Sequence, residues 1–207
     1  MTAICRLIAV SLAAALAGCG TEAFYVPSAK GGEIFQVDYT LGYAFTVSSP
    51  IRVTDLGVYG AVLYDSHAVG IWTSTGTLVV QTTIPAGTPG RLTDGFRYVP
   101  VAPFILAPGT YTIAAHYQHP PDTVMTWATI EPAYEVSYLG PRSVNPEFKF
   151  PPDNVLKYDR DLQLGFFGPN FWFTCGDPNQ APTLCRPKRR PWEIGVRASA
   201  AKDLVIH

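Results

Sequence analysis

Hydrophobic side chains recur at every second position along most of this 207-residue chain. The stretches 43–47 and 111–117 show the pattern most clearly, with aromatic or aliphatic residues separated by small or polar ones. A period of two places alternate side chains on the two faces of a strand, and no stretch beyond the N-terminal segment keeps the helical period of 3.6 for three turns. A change of phase between Val53 and Leu56 predicts a β-bulge at 54–55.

Glycine and proline separate these short hydrophobic runs. The chain contains 18 glycines and 19 prolines, and turn sequences occur at 48–50, 74–76, 107–109 and 168–169. About ten short strands joined by frequent turns are typical of a two-sheet β-structure. The pattern therefore predicts an all-β fold, namely an antiparallel β-sandwich that is jelly-roll-like.

The N-terminus follows a different pattern, in which Arg6 precedes a short apolar run that ends in Leu16-Ala17-Gly18-Cys19. Such a segment is typical of a secretory signal, and it is shorter than the about 20 apolar residues that a membrane-spanning helix needs. Leucine, two small residues and cysteine in this order predict a bacterial lipobox. Cys19 would then carry acyl chains such as palmitate and begin the mature protein. An ordinary secretory signal with an incidental cysteine is the alternative.

The predicted organisation of the chain follows from this N-terminus. It consists of a lipoprotein signal peptide at 1–18, a lipid-anchored tether at 19–32, a jelly-roll β-sandwich at 33–174, and a disulfide loop, basic loop and C-terminal strand or tail at 175–207. Gly20 follows the cysteine, in place of an acidic residue of the kind linked with inner-membrane retention in enteric bacteria. We therefore expect an extracytoplasmic, lipid-anchored protein of the outer membrane or cell surface.

Two further cysteines, Cys175 and Cys185, lie ten positions apart in a loop that contains two prolines and a glycine. In an exported protein this spacing favours one small disulfide bond, which would stabilise the fold by about 2.5–3 kcal/mol. A two-cysteine metal site is the alternative, but no histidine or second cysteine pair lies nearby to complete four ligands.

Five segments of the predicted sandwich carry a family resemblance: Tyr43-Ala44-Phe45, Ile51-Arg52-Val53-Thr54-Asp55-Leu56-Gly57-Val58-Tyr59, Ser66-His67-Ala68-Val69-Gly70-Ile71-Trp72, Gly76-Thr77-Leu78 and Asp94-Gly95-Phe96-Arg97-Tyr98-Val99. With the later Phe167-Gly168-Pro169-Asn170-Phe171, they resemble a secreted bacterial β-sandwich domain of unknown function. That domain is common in exported proteins with a PEP-CTERM sorting tail and sometimes lies beside carbohydrate-active modules. The resemblance covers about residues 33–174.

The resemblance implies a jelly-roll-like sandwich outside the cytoplasm, and it implies no activity. This chain departs from the family in carrying a lipobox and in ending at 202–207 without a PEP-CTERM tail. Acylation of Cys19 would replace the sorting tail as the anchor.

Charge excludes one class of partner. The chain has 15 lysines and arginines against 16 acidic residues, and no basic face or stripe suggests a nucleic acid. The one basic run consists of Arg186, Lys188, Arg189 and Arg190, interrupted by Pro187 and followed by Pro191. We interpret it as a solvated loop, with contact to lipopolysaccharide phosphates or an acidic polysaccharide as the functional alternative.

Aromatic residues make up 13% of the chain and offer a surface for stacking against sugar rings. The candidate platform consists of Trp72, Trp127, Trp172 and Trp192 with Tyr59, Tyr98 and Tyr117. Of these, Trp72, Trp127 and Tyr98 are the predicted ligand-binding residues. Trp72 lies on the strand face opposite residues 69 and 71, so it is exposed if those two are buried. The alternative is that all these aromatics belong to the core.

Histidines and carboxylates form no catalytic motif. His67 lies beside Ser66 and close to Asp65, but the Gly-x-Ser-x-Gly elbow of a serine hydrolase is absent from the sequence. We expect His67 to stand at a strand entrance and to bond to the Asp65 carboxylate or to a loop carbonyl.

Metal sites are the remaining chemical candidates. His116 and His119 share an ion only if the chain turns tightly, with Asp122 as the nearest further ligand. Asp159 and Asp161 fall on one side of an extended strand and are the candidate ligands for a structural calcium. A solvated strand edge is the alternative for these two carboxylates.

The sequence thus predicts a lipid-anchored cell-surface or periplasmic binding module for envelope or matrix saccharides. A structural or adhesive surface protein that assembles with other proteins is the alternative, and a hydrolase ranks last because no catalytic residue is identified. The expected partners are the membrane, through Cys19, and a saccharide or an envelope protein. No cofactor is expected, apart from the calcium considered above.

Overall fold

A computed structural model of the chain describes residues 20–29, 32–33, 38–118, 122–125, 128–152 and 165–175. These residues form strands and the turns between them, so the predicted all-β fold is confirmed. No helix occurs in these ranges, and therefore none that could cross a membrane.

Fourteen strands follow one another along the described residues. They are β1 (Thr21–Glu22), β2 (Phe24–Ala29), β3 (Gly32–Glu33), β4 (Tyr39–Val47), β5 (Ile51–Tyr59), β6 (His67–Thr73), β7 (Leu78–Ile84), β8 (Arg91–Thr93), β9 (Phe96–Leu106), β10 (Gly109–Tyr117), β11 (Val124–Met125), β12 (Ala128–Pro132), β13 (Val136–Val144) and β14 (Pro169–Cys175).

Two five-stranded antiparallel sheets form the body of the protein. Sheet I has the strand order β1-β14-β5-β9-β8, and sheet II has the order β13-β4-β10-β6-β7. Eight of these strands, β1-β14-β5-β9 and β4-β10-β6-β7, have the order of the two sheets of a jelly roll. The strands β8 and β13 extend the sheets at their edges, and β2-β12 and β3-β11 form two small ribbons. The sandwich prediction is therefore confirmed at the level of topology.

An aromatic core joins the two sheets. Phe45 of β4 lies against Phe171 of β14, with 5.0 Å between ring centroids, and Tyr43 lies 5.7 Å from Phe167. Most of the inward stripe predicted for β10 is present, since Ile113, Ala115 and Tyr117 are buried, while Tyr111 at its start is only partly buried. Edge-to-face and tilted ring packing of this kind adds to the stabilisation that burial of apolar area provides.

The predicted bulge in β5 is also present. Val53 pairs with Phe173 and Asp55 pairs with Trp172, which leaves Thr54 as an extra residue in β5. The extra residue shifts the alternation by one position, and it explains why Val53 and Leu56 both point into the core. As a consequence, Thr54 and Asp55 lie on the outer side of sheet I.

The predicted tether at 19–32 does not hold for residues 21–29. Thr21 and Glu22 pair with β14 as the edge strand of sheet I, and Phe24 is buried with its ring 4.9 Å from that of Tyr43. These residues join the sandwich because Ala23 and Phe24 fill space in the core. The sequence did not predict this, because both residues lie in a largely polar N-terminal segment.

Candidate functional site

The outer face of sheet II is covered by the segment 145–152, which we call the strap. The ring centroids of Phe148, in the strap, and Trp72 are 5.2 Å apart. The ring of Phe150 lies next to Gly76, where an added Cβ would come within 3.1 Å of it. Trp72 does lie opposite the core-facing side of β6, as predicted, but only 4% of its surface is exposed. The expectation that Trp72 is exposed as a ligand platform is therefore wrong, because the strap occupies its face.

Polar groups under and beside the strap have partners. The Thr40 hydroxyl donates a hydrogen bond of 2.6 Å to the Glu147 carbonyl of the strap. The ring of His116 contacts the carboxylate of Asp38 through Nε2 and lies near Phe148. This covered face is thus closed by aromatic packing and by paired polar groups.

His67 stands at the entrance of β6, as predicted, but its carboxylate partner is Asp122 instead of Asp65. The buried ring contacts the His116 carbonyl through Nδ1 at 2.9 Å and the Asp122 carboxylate through Nε2 at 3.0 Å. Because a carbonyl only accepts, Nδ1 must donate. Asp122 also accepts from the backbone N–H groups of Tyr64 and Asp65. The cluster therefore fixes the loop before β6 to the segment after β10.

Both ring nitrogens of His67 are engaged, so neither is available to accept a proton from a serine. In a Ser-His-Asp triad one nitrogen faces the carboxylate and the other faces the nucleophile. Here the second nitrogen faces a backbone carbonyl, and the hydroxyl of Ser66 instead accepts from the N–H of Ala86. The His67–Asp122 pair acts as a structural cross-link.

An open pocket of about 470 Å³ lies on the outer side of sheet I, at the bulge of β5. Its volume falls in the range of small-molecule sites. It is lined by Gly20, Thr54, Asp55, Gly90, Arg91, Tyr98, Pro100, Val101, Pro103, Trp172 and Thr174. The sheet brings these residues together from five separate parts of the chain, because β14, β5, β9 and β8 are neighbours.

Arg91 is the exposed cation of this pocket. Its guanidinium carbon lies 4.0 Å from the centroid of the Trp172 ring and 5.5 Å from that of Tyr98. Among the described residues, no carboxylate forms an ion pair with Arg91. Stacking on an indole holds a guanidinium by its face and leaves the N–H groups at its edge free to bind.

Three polar atoms of the pocket residues are buried without a hydrogen-bond partner: the indole Nε1 of Trp172, the hydroxyl of Thr174 and the hydroxyl of Tyr98. A buried group in this condition costs about 1–3 kcal/mol. Burial also raises the pKa of Tyr98 well above that of a free tyrosine, so its hydroxyl stays protonated. Asp55, in contrast, accepts a 2.7 Å hydrogen bond from the Thr54 hydroxyl.

Glycine at two positions permits this packing. Gly57 lies directly opposite Tyr98, and a Cβ there would fall 2.6 Å from the tyrosine ring. A Cβ on Gly20 would fall 2.1 Å from the indole Nε1 of Trp172. Both glycines therefore leave the space that these two aromatic rings occupy.

No known protein family, curated protein or solved structure matches this chain significantly. The resemblance to the PEP-CTERM-associated domain thus stays an expectation from the residues.

The structure places the predicted binding residues at different sites. Tyr98 lines the pocket, although it is fully buried, and Trp72 lies under the strap on the opposite side of the sandwich. Cys175 ends β14. Several predicted residues lie outside the described ranges, namely Cys19, His119, Trp127, Asp159, Asp161, Cys185, Arg186, Lys188, Arg189, Arg190 and Trp192. The lipid anchor, the disulfide bond, the calcium ligands and the anion-binding loop therefore stay predictions.

Metal binding finds no support in the described part of the chain. No group of three or more histidine, cysteine or acidic side chains there is arranged to hold an ion. Of the residues considered for a shared site, His116 pairs with Asp38 and Asp122 pairs with His67.

Arg91, Asp55 and Thr174 were not identified from the sequence, and Trp172 was only one of four tryptophans. A signal for Trp172 was present, because it alternates with Phe171 and Phe173 and must point away from the core if they are buried. No local signal marks Arg91, which meets Trp172 only because β8 lies at the far edge of the same sheet.

Proposed function

We propose that this protein is a lipid-anchored, extracytoplasmic binding module for saccharides, with its ligand site in the pocket of sheet I. The observation that carries the proposal is the combination of an open pocket with an aromatic-stacked arginine and polar groups that lack partners. Groups left unpartnered at some cost in stability call for an explanation, and binding of a polar ligand provides one.

The chemistry of the pocket suits a sugar. Its apolar wall, which suits the C–H groups of a sugar ring, consists of Pro100, Val101 and Pro103. For the sugar hydroxyls, the guanidinium of Arg91 supplies hydrogen-bond donors and the carboxylate of Asp55 supplies an acceptor. Ligand sites of this kind combine a mainly apolar lining with a few polar groups that fix orientation.

The position of Gly20 connects the pocket with the proposed anchor. Gly20 lines the pocket and follows Cys19 directly, so the Cα atoms of the two residues are about 3.8 Å apart. If Cys19 is acylated, the pocket lies close to the membrane surface, where envelope glycans are abundant. A pocket in that position favours an envelope saccharide as the ligand.

Glycan arrays and purified envelope polysaccharides, probed with the full chain in detergent, test the saccharide proposal. We expect saturable binding that is lost in Arg91→Ala and Trp172→Ala, because both variants remove the stacked pair. Trp72→Phe is the matched control, since it keeps an aromatic ring under the strap. Thermal melting verifies that each variant is folded.

Absence of binding to any saccharide by the folded protein would refute this function. Binding that persists in both Arg91→Ala and Trp172→Ala would refute the assignment of the site.

The anchor has a test of its own. Cys19→Ser is expected to move the protein from the detergent phase to the aqueous phase in a phase-partitioning experiment. Acyl chains provide the membrane affinity in this proposal, and removing their attachment point removes it. Unchanged partitioning would show that Cys19 is not the anchor.

A second function, assembly with other proteins, is favoured by the edge of sheet II. The strand β7 pairs only with β6 among the described strands, and its Leu78 and Val79 are exposed. Such an edge is able to add a strand from another chain. Sedimentation of the protein alone and with Val79→Lys tests it, because self-association through β7 should be lost in the variant.

A further inference from the structure

The geometry points to a carboxylate on the saccharide as the group that Arg91 recognises, so that the ligand is an acidic sugar of the uronic-acid type. This inference rests on the proposed function and names the ligand class of the same site. Three features of the pocket support it, and each concerns its balance of donors, acceptors and charge.

The first feature is the state of Arg91. The side chain is exposed, and its guanidinium stacks on Trp172 without a carboxylate partner among the described residues. Stacking on the indole fixes the plane of the Arg91 guanidinium before a ligand binds, so less conformational entropy is lost on binding. A planar fork with free N–H groups matches a carboxylate through two parallel hydrogen bonds.

The second feature is an excess of donors around the pocket. The indole N–H of Trp172 can only donate, and the hydroxyls of Thr174 and Tyr98 are both able to donate; all three atoms are buried, so a ligand reaches them only when the lining side chains shift. The carboxylate of Asp55 is the only acidic group among the described lining residues, and it already accepts from Thr54. A ligand rich in acceptors complements this set better than a neutral sugar does.

The third feature is the amount of positive charge. Arg91 is the only basic residue among the described residues that line the pocket. Beside the negative charge of Asp55 in the same lining, one guanidinium is matched better by the single charge of a carboxylate than by a phosphate group, which carries about −1.5 to −2 near neutral pH. The pocket therefore fits a uronate better than a sugar phosphate.

Calorimetric titration of the full chain in detergent with trigalacturonate and with neutral galactotriose tests this inference. We expect the wild-type protein to prefer the acidic trisaccharide by about tenfold, which corresponds to about 1.4 kcal/mol. Arg91→Gln should bind both trisaccharides equally, and Arg91→Lys should keep part of the preference because it retains charge without the fork. Arg142→Gln, in the edge strand of sheet II, is the control for loss of one positive charge.

Asp55→Asn provides a variant with the opposite expected sign. Removing the negative charge from the lining that Asp55 shares with Arg91 should strengthen binding of trigalacturonate, whereas a pocket that uses Asp55 to accept sugar hydroxyls would bind galactotriose more weakly. Because Asp55→Asn leaves Arg91 in place, this variant tests the inference even if the Arg91 variants do not fold.

Equal affinity of the wild-type protein for the two trisaccharides would overturn the carboxylate inference and leave the saccharide proposal intact. A preference that survives Arg91→Gln would overturn it as well. If neither trisaccharide binds, the inference is also wrong, while the glycan arrays decide the proposed function independently.

Discussion

The two outer faces of this sandwich each carry a tryptophan, and the surroundings of the two side chains differ. On sheet II, Trp72 lies under the strap against Phe148, and the polar groups around it are paired. On sheet I, Trp172 lines an open pocket, where the guanidinium of Arg91 stacks on its ring and its own buried N–H has no partner.

The difference shows that the cover of a sheet, more than its local sequence, decides which outward-facing aromatic residue is left beside an open pocket. Both tryptophans alternate with core residues and point away from the core. The strap covers the outer face of sheet II, so the packing of Phe148 against Trp72 contributes to stability. The face of sheet I keeps buried donors without partners, which is a cost in stability that a ligand is able to offset.

The largest effect is expected for Trp72→Ala, which would break the cover on sheet II. Removing a buried tryptophan leaves a cavity beneath Phe148 and should lower the free energy of unfolding by about 3–5 kcal/mol. Urea denaturation measures this loss. The affinity of the folded variant for saccharides should not change, because the pocket lies on the other sheet.

A loss of saccharide affinity in folded Trp72→Ala would contradict this comparison and return the ligand site to sheet II. A stability loss below about 1 kcal/mol would show that the strap does not hold Trp72 as tightly as its burial indicates.

The fold was largely predictable from the sequence because it depends on local alternation. The period of two, the turns and the phase change at Thr54 predicted the strands, and the jelly-roll order agrees with them. The participation of Thr21 and Glu22 in sheet I was missed, because two residues are too few to show a period.

The site was much less predictable, because it depends on contacts between distant parts of the chain. Arg91 and Trp172 are 81 positions apart and meet through the strand order of sheet I. The exposure of Trp72 depended on Phe148, in a segment without periodicity. The bonding of His67 was predicted in kind, but its partner Asp122 comes from a different part of the chain.

Gly20→Ala tests the packing of Trp172 on the outer face of sheet I. A Cβ at this position would lie 2.1 Å from the Trp172 Nε1 and 2.7 Å from the Phe173 carbonyl oxygen, so the indole or β1 must move. We expect the saccharide affinity to fall by about tenfold, or 1.4 kcal/mol, because Trp172 no longer supports Arg91. Calorimetric titration in detergent measures the change.

Gly109→Ala is the matched control for that substitution. Its added Cβ would have no neighbour closer than 3.6 Å, at the edge of the Tyr111 ring, so neither stability nor affinity should change appreciably. Equal affinity of Gly20→Ala and Gly109→Ala would indicate that the ligand does not contact the Trp172 side of the pocket.

The smallest effect distinguishes a paired threonine from an unpaired one. Thr40→Val removes the hydrogen bond to the strap carbonyl of Glu147 and should cost about 1 kcal/mol. Thr174→Val removes a buried hydroxyl that has no partner, so it should leave stability unchanged or raise it slightly. Urea denaturation of the two variants measures both signs. If Thr174→Val destabilises the protein as much as Thr40→Val does, the pocket hydroxyl already has a partner in the free protein, and the contrast between the two faces fails at that residue.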